Sequence, residues 1–286
     1  MKVLFATDGS DASNRAGELL ARLADLGRTE VVVLSVNDFE VALRQASAHH
    51  GYSSEEGHAA ASRAAETAAG GLHEAGFGDV EVRIVEGDGA TEIVAQAEQG
   101  ELVVVGSGKE GWLDTIVLGS VSSSVLHAAP CPVLVVHRAP SGDRPVRVVV
   151  GTDGSEGSTH AIDAFAALAD PARCEVAVVT AMRPVALPPG GAEGGERVAV
   201  EVADAEQDAA TRHLAAASDV LTAAGFRVET LIVPGGPAPA ILDQVASRGA
   251  DLAVVGARGL GRFRAKVLGS VSDRVIRHAP ATLVGR

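Results

Sequence analysis

The strongest constraint on the fold of this chain is an internal repeat. One glycine pattern occurs twice, at an offset of 150 residues. The second copy reads GARG at 256–259 and GSVS at 269–272, and the first reads GSGK at 106–109 and GSVS at 119–122, with nine residues between the two parts in each copy. Because a self-match at a fixed offset marks a repeated structural unit, we predict a duplicated fold whose ligand loop has changed in the first copy.

The repeat extends along the chain and divides it into two domains. The tetrapeptide TDGS at 7–10 returns at 152–155. Each copy is about 140 residues long, a common size for a compact domain with its own core. We predict a first domain at 1–139 and a second domain at 146–286, joined by the proline-bounded linker PSGDRP at 140–145.

Short apolar runs alternate with helical stretches in both copies, which predicts βαβ units around open parallel sheets with helices on both faces. The predicted strands of the first copy are 3–7, 31–36, 80–85, 102–106 and 133–137, and its predicted helices are 11–26, 54–75, 90–99 and 121–128. The predicted strands of the second copy are 146–152, 176–181, 228–233, 252–256 and 281–284. The predicted class is therefore α/β.

Composition excludes several classes of protein. With 47% hydrophobic and 21% charged residues, the chain has no apolar run long enough to span a bilayer, and its start lacks a signal-peptide pattern, so we expect a cytoplasmic protein with no membrane partner. A net charge of −13 without a basic tract argues against nucleic acid as a partner. Cys131 and Cys174 lack metal-ligand spacing, and we expect both to be buried apolar residues.

The glycine segment after the fourth strand has the chemistry of an anion site. A strand that leads through small residues to Gly-Ser at a helix start offers unpaired N–H groups and a positive helix end, which suit phosphate. Ser270 and Ser272 can add hydroxyl donors. The cations near the second copy are Arg258, Arg262, Arg264, Lys266, Arg274 and Arg277, whereas the first copy has Lys109 with Glu110 and Asp114. A polyphosphate is expected to prefer the second copy.

Two common nucleotide motifs do not apply here. Residues 106–111 match G-x-G-x-x-G, but they follow the fourth strand, and no acidic residue stands about 20 positions further on. The same segment lacks the upstream glycine and the Ser/Thr of a P-loop.

Two features have two interpretations each. The loops at 38–57 and 183–195 follow the second strand of each copy, where they form either a lid over the ligand edge or a variable surface loop. Asp8 and Asp153 directly follow the first strand of each copy, where an Asp either forms the turn and caps the next helix or contacts the ligand.

Together these residues resemble the universal stress protein family. The resemblance rests on TDGS after the first strand, on G-x-x-G, nine residues and G-[S/T] after the fourth, and on APCPVLVV at 129–136, and it covers nearly the whole chain. It implies a tandem member of the ATP-binding type. Each domain would have an adenine nucleotide α-hydrolase-like fold with a five-stranded parallel sheet in the order 3-2-1-4-5.

The resemblance places adenine at the ends of the first two strands and the ribose and phosphates on the glycine loop. In the second copy the implied contacts are Gly151, Thr152, Asp153, Ala181, Val255, Gly256, Arg258, Gly259, Gly269, Ser270, Val271 and Ser272. A weaker first-copy site would comprise Ala6, Thr7, Asp8, Val36, Gly106, Gly108, Lys109, Gly119, Ser120, Val121 and Ser122. Lys109 replaces the second glycine of the family pattern. Its side chain either blocks the approach of phosphate or replaces the lost contact.

These observations predict a stress-response or regulatory protein that binds ATP with Mg²⁺, mainly in its second domain. We assign no catalytic residue and expect slow or absent hydrolysis, because the sequence shows no base for a water near the γ-phosphate. The alternative is a nucleotide-independent interaction module of the same fold. The resemblance also implies pseudo-twofold pairing of the two domains through their fifth strands, and we expect a homodimer. Gly259→Asp is expected to abolish ATP binding with little loss of stability.

Overall fold

The computed structural model describes residues 1–38, 54–97, 102–107, 118–183, 195–259 and 268–286. The part before the linker, here the first half, contains β1 (Lys2–Ala6), α1 (Asp11–Leu23), β2 (Glu30–Asn37), α2 (Ser54–Glu74), β3 (Val80–Glu86), α3 (Gly89–Ala97), β4 (Leu102–Gly106), α4 (Ser120–Ala128) and β5 (Val133–Val136). The second half contains β6 (Val146–Gly151), α5 (Glu156–Leu168), β7 (Cys174–Met182), α6 (Gly195–Ala223), β8 (Val228–Pro234), α7 (Pro237–Arg248), β9 (Leu252–Gly256), α8 (Ser270–Ile276) and β10 (Ala281–Gly285).

The described strands form one sheet of ten strands in the order β3-β2-β1-β4-β5-β10-β9-β6-β7-β8. Within each half all pairings are parallel and follow the expected order 3-2-1-4-5, which confirms the α/β class. The two sheets predicted from the sequence are one continuous sheet, because β5 and β10 pair antiparallel, with Val136 opposite Ala281 and Val133 opposite Val284.

Two apolar layers cover the sheet. One contains α1, α2, α5 and α6, and its largest buried side chains include Phe5 and Phe165. The other contains α3, α4, α7 and α8. Successive strand residues point to opposite faces, so Phe5 joins the first layer and Leu4 the second. Burial on both faces explains why the strands read as continuous apolar runs.

The two halves also meet through the ends of α1 and α5. The backbone N–H of Asp25 donates to the carbonyl of Leu168 at 2.8 Å, and that of Asp170 donates to Leu23 at 2.9 Å. This reciprocal pair explains why α1 ends at Leu23 and not at residue 26, as the sequence predicted. The N–H of Asp25 and the carbonyl of Leu23 bond to the other half, so they are not free for the hydrogen bonds of a longer α1.

The predicted linker is tied to both halves. Arg22 of α1 donates to the carbonyl of Pro140 at 2.8 Å and to that of Arg144 at 2.7 Å. Arg144 in turn donates to both carboxylate oxygens of Asp251, at 2.6 and 2.8 Å. The segment between β5 and β6 therefore helps to fix the relative position of the halves.

Other expectations compare with the structure as follows. Cys131 and Cys174 are buried and unpaired, as expected, and burial raises the pKa of the Cys174 thiol to about 12. The loop segments 39–53 and 184–194 lie outside the described residues, so the lid interpretation is untested. No helix within the described ranges is long and apolar enough to cross a membrane.

Candidate functional site

The second half has a crevice where the strand order reverses. β6 lies between β7 and β9, and the chain leaves β6 toward α5 in one helix layer and β9 toward α8 in the other. Open α/β sheets bind ligands at this kind of position, beyond the carboxyl ends of the strands. The turn at 152–155 and the loop that begins at Ala257 form its two sides.

The turn after β6 is held by its own side chains. The Asp153 carboxylate accepts a hydrogen bond from the Ser155 N–H at 3.0 Å, and Thr152 Oγ1 accepts one from the Gly154 N–H at 3.2 Å. Ser155 caps α5 by accepting from the Ser158 N–H at 3.3 Å. Asp153 therefore has the turn-forming role that the sequence left open, and its carboxylate lies at the crevice.

The first half repeats this turn. The Asp8 carboxylate accepts from the Ser10 N–H at 3.0 Å, and Thr7 Oγ1 accepts from the Gly9 N–H at 3.2 Å. Burial acts to raise the pKa of Asp8, but hydrogen bonds from Ser10 and Ser13 outweigh it, and the pKa is lowered. Asp8 thus remains ionised at neutral pH.

Gly259 lies directly against the Asp153 carboxylate. A Cβ added to Gly259 would overlap Asp153 Oδ2, so the loop can follow this path over the turn because residue 259 has no side chain. Gly108 and Lys109, at the equivalent part of the first loop, lie outside the described residues. Asp8, which the first half holds in the same turn as Asp153, is described.

Gly256 has a different reason to be glycine. A Cβ there would lie 2.6 Å from the Gly157 carbonyl carbon and 2.6 Å from the Ser158 nitrogen, both in the first turn of α5. Gly106 meets the start of α1 in the same way. The absent side chain at both positions therefore lets a helix pack on the strand end. This explains the glycine without reference to a ligand.

The hydroxyl of Ser272 is used inside the loop. Ser272 is 1% exposed, and its Oγ lies 2.9 Å from the Ala257 carbonyl and 3.0 Å from the Gly269 carbonyl. Ser122 is buried likewise, 3.1 Å from the Gly119 carbonyl. The sequence offers the Ser272 hydroxyl to phosphate, and the resemblance implies a ligand contact for Ser122; in the structure each hydroxyl bonds the carbonyl of the N-cap glycine of its helix. Ser270, by contrast, is exposed.

Ser272→Ala is expected to lower the free energy of unfolding by about 1 to 2 kcal/mol, because buried carbonyls lose a donor. Ser270→Ala, at the exposed neighbouring position, should change it by less than about 0.5 kcal/mol. Urea unfolding followed by circular dichroism measures both. Equal effects of the two variants would contradict the structural role of Ser272.

The start of α8 offers backbone donors. Gly269 is the N-cap residue, its own N–H is bonded to the Ala257 carbonyl at 2.8 Å, and it provides no side-chain cap. The first N–H groups of a helix lack partners within the helix, and this end carries the positive part of the helix dipole. The N–H groups of Ser270 and Val271 are therefore suited to an anion. In the first half, α4 begins in the same way after Gly119, with Ser120 and Val121 in its first turn.

Of the six predicted cations, Arg258 lies at the start of the loop, where its carbonyl accepts from the Ser155 hydroxyl at 3.3 Å. Arg274 is in the last turn of α8, and Arg277 caps that end and pairs with Asp273 at 2.9 Å. These two are therefore at the opposite end of the helix from the proposed anion site. The other three, Arg262, Arg264 and Lys266, lie outside the described residues.

On the adenine side, some implied contacts are buried below the crevice. A Cβ on Gly151 would lie 2.5 Å from Ile241 Cδ1 and 3.5 Å from Val255 Cγ1, and Val255 is itself in the core. Ala181 and Val36, near the ends of β7 and β2, are half-buried. In the first half, Ala6 belongs to the core as Val255 does.

Sequence reasoning missed His213. Its imidazole, on α6, packs against Gly154, so that a Cβ on that glycine would overlap the ring. Gly154 adopts a φ of 72°, and Gly9 adopts 74° in the first half, where Ala64 takes the place of the histidine. An alignment of the two copies pairs His213 with Ala64, but only the fold places them beside the TDGS turn.

The described side chains do not form a metal site of their own. Among the described ranges, no group of three or more His, Cys, Asp or Glu residues is arranged to hold a metal ion.

Comparison with known proteins agrees with the fold and the repeat. Residues 1–137 and 146–284 each match the model of the universal stress protein family. A universal stress protein of Mycobacterium tuberculosis is 27% identical over 304 aligned positions, which cover 99% of this chain and 93% of that protein. The crystal structure of a universal stress protein from Archaeoglobus fulgidus superposes with a TM-score of 0.67 at 24% identity, covering 100% of this chain and 98% of that one. A universal stress protein solved in complex with cAMP aligns with 50% of this chain at 29% identity, with a TM-score of 0.38.

Proposed function

Because this chain belongs to the universal stress protein family and contains two tandem copies of its domain, we propose that it is a stress-response or regulatory protein that binds ATP in its second half. The observation that supports this most strongly is the position of Gly259. Gly259 lies against the Asp153 carboxylate, and Gly269, further along the same connection, begins α8 without a side-chain cap. A carboxylate and a set of backbone donors thus face one crevice.

The two sides of the crevice match the two ends of a nucleotide. The N–H groups at the start of α8 and the Arg258 guanidinium would hold the phosphates. The Asp153 carboxylate is an acceptor and would receive N–H or O–H donors of the adenine or ribose. Mg²⁺ would enter bound to the phosphates, since the described side chains offer no metal cluster.

Occupancy is proposed to be unequal because of Lys109. The second loop has no room for a Cβ at residue 259, and the first half holds Asp8 in the same turn geometry as Asp153. A lysine in place of the second glycine is therefore proposed to disfavour nucleotide in the first half. We expect the first half to bind nucleotide at least about tenfold more weakly, a difference of ~1.4 kcal/mol.

Slow or absent hydrolysis is part of the proposal. Asp153 is engaged in the turn, and a base for an attacking water would have to reach the γ-phosphate at the other side of the crevice. Binding without turnover suits a molecule in which ATP selects a conformation or a partner surface. The cytoplasmic location and the domain bounds 1–139 and 146–286 remain predictions.

Calorimetric titration of the nucleotide-stripped chain with Mg·ATP tests this function. We expect one site per chain in the wild type and two sites in Lys109→Gly, because the change restores the second glycine of the first loop. Gly259→Lys, the reciprocal exchange, should remove the original site. Two equal sites in the wild type would contradict the unequal occupancy.

Absence of binding to ATP, ADP and cAMP would favour the alternative, a nucleotide-independent interaction module. One observation favours that alternative. The fifth-strand edges pair inside the chain, so the halves associate through backbone hydrogen bonds of the sheet itself. The expected homodimer would have to use another surface, and light scattering would show whether it forms.

A further inference from the structure

His137 joins the two halves at their ligand elements. It follows β5, is 5% exposed, and has one ring nitrogen facing each half. Nδ1 lies 3.1 Å from the carbonyl oxygen of Ser107, and Nε2 lies 2.9 Å from that of Ile276. The backbone N–H of His137 also donates to the carbonyl of Pro280 at 2.9 Å, which ties the backbone at this residue to the second half.

Both carbonyls belong to the ligand elements. Ser107 is the first residue of the first loop, and its hydroxyl lies 2.8 Å from Ser122 Oγ and accepts from the Gly119 N–H at 3.3 Å. Ile276 is the last residue of α8, the helix whose start is the proposed phosphate site. One imidazole therefore contacts the loop anchor of one half and the helix end of the other.

The chemistry of the ring does not match two acceptors at neutral pH. A neutral imidazole has one N–H and one bare nitrogen, while a carbonyl oxygen can only accept. The Nδ1–H tautomer can hold Ser107 but not Ile276, and the Nε2–H tautomer can hold Ile276 but not Ser107. Only the doubly protonated ring can donate to both.

The surroundings oppose the doubly protonated form. Burial lowers the pKa of His137, and although both carbonyls act to raise it, Arg138 beside the ring and Arg15 of α1 lower it further. From the second half, the described groups in contact are the neutral carbonyls of Pro280 and Ile276. The ring is therefore neutral at pH 7 and satisfies one carbonyl at a time.

The related position in the second half is different. Arg286 follows β10 as His137 follows β5, and it donates to the carbonyl of Leu126 near the end of α4. An arginine remains charged and keeps its N–H donors at every accessible pH. The contact that His137 of the first half makes with the second half can therefore change with the protonation of the ring. The contact that Arg286 of the second half makes with the first half cannot.

We propose that His137 is a positioning residue for both ligand elements, with a tautomer and proton state that determine whether the first loop, the end of α8, or both are held. The proposal rests on nucleotide binding in the second half. A ligand bound at the start of α8 would then change how strongly the carbonyl of Ile276, at the end of that helix, requires a hydrogen-bond donor. Loop position and proton binding are linked through one ring.

Nitrogen-15 NMR of the histidine rings tests this in the full chain, with and without Mg·ATP, between pH 5.5 and 7.5. We expect the ring nitrogens of His137 to shift on ATP addition at pH 7.5, and the backbone amide signals near Ser107 and Ile276 to titrate together as the ring takes its second proton. ATP affinity in the wild type should change by about fivefold as the pH falls through the lowered pKa of His137.

Two variants provide the controls. His137→Arg copies Arg286, can donate to both carbonyls throughout, and should show a pH profile of ATP affinity flatter than that of the wild type. His137→Gln keeps an N–H donor on a side chain that does not titrate. It replaces the arginine variant as the control if that variant does not fold. A parallel titration of each variant removes the contribution of the ATP phosphates themselves.

The outcomes separate the two proposals. If ATP binds but the pH profiles of wild type and variants coincide and the ring signals do not move, the role of His137 is wrong and the nucleotide site stands. If ATP does not bind, the proposed function is wrong. In that case the pH titration of the backbone amides still tests the role of His137. If the amide signals near Ser107 and Ile276 titrate independently of the His137 ring, that role is wrong.

Discussion

Gly256→Ala is expected to lower the free energy of unfolding by about 2 to 3 kcal/mol or more, the range found when atoms are forced into a filled core. The added Cβ would lie 2.6 Å from backbone atoms of Gly157 and Ser158. Backbone in a capped first helix turn cannot rotate away as a side chain can. The whole of α5 would have to shift away from β9, and with it the turn that carries Asp153.

Urea unfolding followed by circular dichroism measures this effect, and the chain offers a matched control. Gly71 lies inside α2, and a Cβ there would meet nothing within 4 Å. Gly71→Ala should therefore raise stability by about 0.5 to 1 kcal/mol, the helix-propensity difference between the two residues. If Gly256→Ala stays within about 0.5 kcal/mol of the wild type, then α5 yields at little cost, and the packing explanation for this glycine is wrong.

Gly259→Asp is expected to weaken Mg·ATP binding by at least about 100-fold, or ~2.7 kcal/mol. The new carboxylate would stand against Asp153 and face the phosphates at the start of α8. Both effects act on the same crevice. Calorimetry with the full chain gives the affinity directly, and loss of the single high-affinity site is the expected result.

The structure changes one part of this expectation. From the sequence, the substitution was expected to leave stability nearly unchanged, but a Cβ at residue 259 would overlap Asp153 Oδ2. We now expect a loss of about 1 kcal/mol, since the atom that must yield is the end of a side chain. Gly259→Ala separates bulk from charge. Gly78→Asp adds the same charge where a Cβ meets nothing within 4 Å, and it should leave affinity unchanged.

A tight complex with Gly259→Asp would contradict the site as assigned. The unfolding midpoint must be measured on the same samples, because a partly unfolded variant would also bind less ATP. If the variant is folded at the titration temperature and still binds normally, the nucleotide does not contact the loop at 256–259.

Much of the fold could be predicted from this sequence because the relevant signals are local. Strands buried on both faces read as apolar runs, and TDGS forms the same turn in both halves because Asp8 and Asp153 each accept from a backbone N–H two residues ahead. The sheet order came through the family resemblance. The repeat itself fixed the number of units before any contact was known.

The parts that sequence reasoning missed depend on contacts between distant segments. The sequence offers the Ser272 hydroxyl as a donor to phosphate, but it does not show that the carbonyl of Ala257 lies 2.9 Å from that hydroxyl. Gly256 remains a predicted ligand contact, but the sequence does not show that its free side faces the first turn of α5. His137 showed no motif, since its two partners are 30 and 139 residues away along the chain.

The antiparallel seam between β5 and β10 has a consequence for how such a molecule can diversify. In a symmetric dimer of one-domain subunits, every substitution appears twice, and a lysine that spoils one loop spoils both. Joining the two halves in one chain ensures that each seam contains one copy of each half at any protein concentration. A substitution in one half then no longer appears in the other. One half can then specialise in ligand capture while the other drifts toward a different task, and the pair of unlike residues His137 and Arg286 at the seam shows that the two sides already differ.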